Sequence, residues 1–172
     1  MKLLEKFESI QIKITWTAIK IGLDGINNFP PCLNPKEVVD YATQKVLLNE
    51  NEQYEVILLA GESCEKIKEI KQLVDELSRR ENKDIMEEFR KWRLIYIVDT
   101  INNLSFDPVK NLLDIGDAWV MFEFPSDSPH IFQGVGNNIL PQDYYTQQMF
   151  DEIKIRHKKW IEEELLYLKR NE

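Results

Sequence analysis

The stretch "DIMEEFRKWRLIYIVDTINNLSFDPVKNLLDIG", Asp84 to Gly116, decides the fold class. Ile85, Phe89, Trp92 and Tyr96 recur at helical spacing, which sets one apolar stripe along a helix from Asp84 to Ile101. Asp107 followed by Pro108 then reads as an N-cap with proline at the first helical position. The helix it opens carries Val109, Leu112 and Leu113 and is expected to end near Gly116. Two successive helices without an intervening strand set the expectation for the rest of the chain.

Working outward, the same signals repeat. Thr146 caps a last, long helix with Met149, Ile153, Trp160, Glu164 and Leu168 on one face. Glu65 to Arg80 places Ile67, Ile70, Val74 and Leu77 on one stripe, and Asn34-Pro35 opens a helix with Val38, Val39, Ala42 and Val46 inward. Tyr54 to Ala60 is too short for periodicity to separate helix from strand; Asn51 as a cap and the flanking helices favour helix. Two stretches alternate in the manner of a strand: Ile10, Ile12, Ile14 and Trp16, and Val120, Phe122 and Phe124. The expectation is a mainly α fold, one domain over residues 1–172. It is a compact bundle of about six or seven helices with room for one small two-stranded ribbon.

Between Phe122 and Pro141 lies "FEFPSDSPHIFQGVGNNILP", a long proline-rich loop. Pro125, Pro129 and Pro141 remove donors, and Gly134 and Gly136 permit positive φ. Phe122, Phe124, Ile131, Phe132, Ile139 and Leu140 require the loop to lie over the helices and bury them.

The 172 residues carry a net charge of −8. From Asp99 to Glu152 there are nine acids and one base, which is −8; the remaining 21 acids and 21 bases cancel. All the surplus therefore lies in one contiguous third, which repels nucleic acid and anionic membranes and attracts basic proteins. The longest apolar run, Val56 to Ala60, is far too short to cross a bilayer, and the N-terminus lacks the pattern of a secretory signal. Cys32 and Cys64 read as free thiols of a cytoplasmic protein.

No catalytic kit is recognisable. Ser126, Asp127, Ser128 and His130 sit together, yet a serine nucleophile gathers its partners from distant segments, and Ser and Asp between prolines are turn residues. Cys32, Cys64, His130 and His157 show no metal-ligand spacing. His157, on the apolar face of the last helix, reads as a buried residue bonded to a neighbour. "GVGNN", Gly134 to Asn138, is a turn rather than a phosphate cradle, and the bases of "KIRHKKW", Lys154 to Trp160, face acids one turn on at Glu162 to Glu164. Neither a cofactor nor a metal is expected. Acids mixed with aromatics suit a docking face. Asp114, Asp117, Glu123, Asp127 and Asp143 are expected to steer a partner, with Phe132 and the exposed aromatics Trp119, Tyr144 and Tyr145 as anchors.

The order "FRKWRLIYIVDTINNLSFDPVKNLLDIGDAW" (Phe89–Trp119), a proline-rich acidic loop, and "LPQDYYTQQMFDEIKIRHKKWIEEELLYLKR" (Leu140–Arg170) resembles an uncharacterised bacterial family, the domain of unknown function numbered 2247. "TWTAIKIGLDG" (Thr15–Gly25) and "LNPKEVVDYA" (Leu33–Ala42) look like its first helices. The resemblance implies a mostly helical domain and a candidate immunity protein, one that neutralises a cognate bacterial toxin; it brings no catalytic residues. The resulting expectation is a non-enzymatic protein that binds a basic partner, such as a toxin, through an acidic face. Two alternatives stand beside it: a small hydrolase using His130 or His157 with carboxylates, and a structural subunit of a homo-oligomer.

Overall fold

The computed structural model describes residues 3–48 and 53–171. Among them the fold is mainly helical, with nine helices: α1 (Leu3–Ser9), α2 (Trp16–Asp24), α3 (Pro35–Leu48), α4 (Tyr54–Ala60), α5 (Ile67–Glu81), α6 (Ile85–Asn102), α7 (Pro108–Val120), α8 (Pro141–Tyr144) and α9 (Gln147–Arg170). The chain divides into two compact units, Met1–Trp92 and Arg93–Glu172.

Two expectations need correction. The helix count exceeds six or seven because α1, α2 and the single turn of α8 were not read as helices from residue periodicity. The ribbon does not form: among the described residues the only β pairing is an isolated bridge between Ile26 and Phe29. Both expected strands are broken by their own backbone. Gln11 sits at φ 59°, and Thr15 turns the chain into α2 by capping Ala18. At the other site α7 runs through Gly116 to Val120, after which Glu123 and Phe124 adopt φ 57° and 49°. Tyr54–Ala60 is helical as favoured; Asn51, its expected cap, lies outside the described residues, and Gln53 at the cap position makes no side-chain bond.

In the first unit α2 is buried on nearly every side, from Trp16 to Leu23, and packs on the stripe Ile70, Val74 and Leu77 of α5. Gly22 makes this approach possible, since a β-carbon there would stand 2.5 Å from Trp92 Cζ2 and 2.7 Å from Leu33 Cδ1. The Trp92 ring meets Phe7 edge-on at 4.9 Å, and its indole donates to Ala18 O at 2.7 Å.

The buried polar groups of this unit serve helix ends. Glu81 accepts from the amides of Trp16 at 2.6 Å and Thr17 at 3.2 Å, so a carboxylate caps the start of α2. Burial pushes the Glu81 carboxyl up, against the pull of those two amides. Thr15 donates to Glu88 at 2.6 Å, and Lys91 reaches both Glu88 at 3.0 Å and Lys13 O at 3.1 Å.

In the second unit α7 packs on α9, with the Trp119 and Trp160 rings edge-on at 5.1 Å. The segment between α7 and α8 is irregular, as expected, and fastened at several points. Asn137 accepts from the amides of Gly134 and Ile139 and donates to Phe132 O and Val135 O. Gly134 and Gly136 take φ 75° and 67°. Phe122 is buried and Ile131, Phe132 and Ile139 are half-buried, while Phe124 and Leu140 remain exposed. Burial of the loop's apolar residues is thus partial. Among the described residues Cys32 and Cys64 take part in no disulfide.

Candidate functional site

The acidic region is organised by α7. Asp107 caps it, accepting from the amides of Val109 at 2.9 Å and Lys110 at 3.3 Å. Asn111, Leu112, Ile115, Ala118 and Trp119 face inward. That leaves Asp114 and Asp117, one helical turn apart, on the solvent side, where they line a shallow depression with Asp99, Tyr96, Asn103 and Met121. Asp99 accepts from the Asn103 side-chain amide at 3.2 Å. Among the described residues Asp114 and Asp117 form no ion pair. Glu123 and Asp143 are also exposed.

Two other expected contact residues, Trp119 and Tyr144, turn inward and are corrected. Asp127 stays exposed while gripping Arg93 through both oxygens, at 3.0 and 2.7 Å. Trp119 is fully buried and cannot anchor a partner. Its ring and that of Trp160 flank the Arg93 guanidinium at 5.9 and 5.3 Å. Tyr144 is buried too, at 4% exposure, and donates to Ile131 O at 2.7 Å. Phe132 is half-buried, and Tyr145 is exposed as expected.

Sequence reading missed the role of Arg93. It lies in the interior with Glu164, which accepts from it at 3.2 Å, so one buried cation serves one buried and one exposed carboxylate. The signal was Glu164 itself, an acid on the apolar face of the last helix, which burial requires to be paired.

The two histidines meet in the core of this unit, ring centroids 5.6 Å apart. The Trp119 indole donates to His157 Nε2 at 2.8 Å, which leaves the His157 proton on Nδ1, donated to Ile153 O at 2.7 Å. Tyr144 gives its own proton to Ile131 O, so His130 Nε2 donates to the Tyr144 oxygen at 3.2 Å. His130 Nδ1 is then a buried acceptor with no partner among the described residues. Burial pushes His130 down to about 3, with His157 adding to the effect. Burial also pushes His157 down to about 4, opposed by its bond to Ile153 O. Both are neutral near pH 7. Their hydrogen-bond partners are an indole, a phenol and carbonyls, with no carboxylate to orient either ring as a general base. His157 was expected to be buried and bonded to a neighbour, and it is.

Among the described residues no group of three or more His, Cys, Asp or Glu is placed to hold a metal ion. Nor is any of their helices long and apolar enough to cross a membrane. A family model described as an uncharacterized protein conserved in bacteria (DUF2247) matches residues 4–165. No curated protein and no solved structure matches the chain.

Proposed function

The chain belongs to the DUF2247 family of uncharacterized proteins conserved in bacteria, and for this member we propose a non-enzymatic binding function. In this reading it is an immunity protein that acts in the cytoplasm and neutralises a bacterial toxin by stoichiometric binding through the acidic face of its second unit. The observation that carries the reading is the depression where Asp99, Asp114 and Asp117 converge beside Tyr96. Carboxylates exposed in one place raise the encounter rate of a basic partner and repel nucleic acid and anionic lipid. Glu123, Asp127 and Asp143 add to the steering, and Phe132 and Tyr145 supply apolar contact; Trp119 and Tyr144 are buried in the same unit.

The test is neutralisation. The product of the neighbouring gene, which this reading expects to be a toxin, is expressed in a bacterial host with and without the protein, and the purified pair is titrated by calorimetry. The expected outcome is rescue of growth and saturation at one to one. Rescue at far below equimolar protein would point to an enzyme, and its absence would reject the reading.

A further inference from the structure

The irregular segment between α7 and α8 is bonded to the helices at few points. From Pro125 to Ile139 its backbone-to-backbone hydrogen bonds, Ser128 to Pro125 O and Val135 to Phe132 O, close within the segment. The amides of His130, Gly134 and Ile139 bond to side chains of the same segment, those of Ser128 and Asn137. Among the described residues, its hydrogen bonds to the helices are made at three places. Asp127 holds Arg93, His130 Nε2 donates to the Tyr144 oxygen, and Ile131 O accepts from that phenol. Two of the three therefore meet at one residue of α8. His130 is the inner fastening: Nε2 lies 3.5 Å from the β-carbon position of Gly116 on α7, and its ring meets Phe132 edge-on at 4.4 Å.

That fastening has no place for a charge. Of the groups that face His130, α8 supplies the Tyr144 phenol, α9 the His157 ring with its centroid 5.6 Å away, and α7 Gly116. Asp127, the acid of its own segment, is committed through both oxygens to Arg93, which Glu164 also holds. A proton on Nδ1 would place a charge on a ring only 8% exposed, beside a second imidazole, with no acceptor for the new N–H among the described residues.

We infer that the stretch from Ser128 to Ile139 is a strap released by acid: a proton on His130 lifts it from α7 and α8, while the helices stay folded and Asp127 stays on Arg93. The sign follows from the two states of the ring. Burial holds His130 at about 3 when the strap is down, and release returns it toward its ordinary 6.5. The closed form thus keeps its full advantage above pH about 6.5 and loses up to about tenfold per pH unit below it. From pH 7 to pH 5 the ratio of open to closed strap should rise about 25-fold. The helices have ties that the strap does not supply: Glu164 stays on Arg93, and Trp119 stays against Trp160.

The experiment follows cleavage of the whole chain by papain at pH 7 and pH 5. Each rate is divided by that of a free peptide of residues 122–141 at the same pH, so that it reports the open population. The first cuts should fall between Ser128 and Ile139, and the normalised rate should rise about 25-fold toward pH 5 with the helical circular dichroism unchanged. His130→Gln, which cannot take up the proton, should reduce that rise to less than about twofold. Tyr144→Phe removes both phenol bonds to the strap and should be cut about tenfold faster at pH 7, yet keep its rise toward acid. A flat profile in His130→Gln therefore reports the proton and not mere loosening. The inference is overturned by a normalised rate that does not change with pH, by a full rise in His130→Gln, or by Tyr144→Phe cut no faster than the unaltered protein. First cuts elsewhere, or helical signal lost in step with cleavage, would overturn it by making the acid response a global unfolding. His130→Gln cut as fast as the free peptide at both pH values would overturn it too, making His130 a packing residue.

Discussion

The two units handle charge differently, although α9 of the second also pairs Arg156 with Glu152 and Lys159 with Glu163. In the first, charges close on one another between helices: Lys20 with Asp75 and Lys71 with Asp24 join α2 to α5, and Arg80 with Glu55 joins α5 to α4. Its buried Glu88 and Lys91 are paired, and Glu81 caps a helix. In the second, one buried arginine is shared by Asp127 and Glu164 between two tryptophans, while Asp114 and Asp117 are left to solvent. The contrast teaches that a surplus of acid is meaningful only where local pairing does not absorb it. Exposed ion pairs of the first kind contribute little stability, whereas a buried charge must keep its partner.

The largest expected effect breaks the second unit at Arg93. Arg93→Ala leaves Glu164 buried and uncompensated, and should cost about 3–5 kcal/mol in urea unfolding. Adding Glu164→Leu should restore much of that loss, because an apolar pair is tolerated where a lone charge is not. A double variant as unstable as the single one would mean that the arginine holds the unit through its ring contacts instead.

Acid should discriminate the units next. His130 and His157 have folded values near 3 and 4, below their ordinary 6.5, so the unfolded chain takes up protons first as pH falls. Stability is therefore full above pH about 6.5 and declines below it, by at most about 1.4 kcal/mol per pH unit for each histidine. Urea midpoints at pH 7 and pH 5.5 should differ accordingly, and His130→Phe should remove about half of the difference. A pH-independent midpoint across that range would contradict the buried, neutral pair.

In the first unit Gly22→Ala drives a methyl group into Trp92 and Leu33 and should cost about 1–3 kcal/mol, read from the thermal midpoint. Smallest is the cap of α7: Asp107→Ala should cost about 1 kcal/mol, and Asp107→Ser should recover most of it.

Helix positions were legible because their signals are local. Asp107-Pro108 and Thr146 cap where the sequence places caps, and of the stripe Ile67, Ile70, Val74 and Leu77 all but Ile67 are buried. Alternation at Ile10 to Trp16 misled because a single residue, Gln11 in the left-handed region, breaks a strand that hydropathy alone allows. The candidate site was half legible. The acids of α7 could be placed by spacing. Burial of Trp119 and Tyr144, and capture of Asp127 by Arg93 from 34 positions away, depend on tertiary neighbours that no local pattern encodes.

The most direct test of the central claim is the stopped-flow association rate, as a function of salt, with the partner that the neutralisation test identifies. The account predicts that Asp114→Asn with Asp117→Asn slows association at low salt and flattens its salt dependence, while Lys71→Met in the paired first unit changes neither. An association rate and salt slope unchanged by the loss of both carboxylates would contradict it.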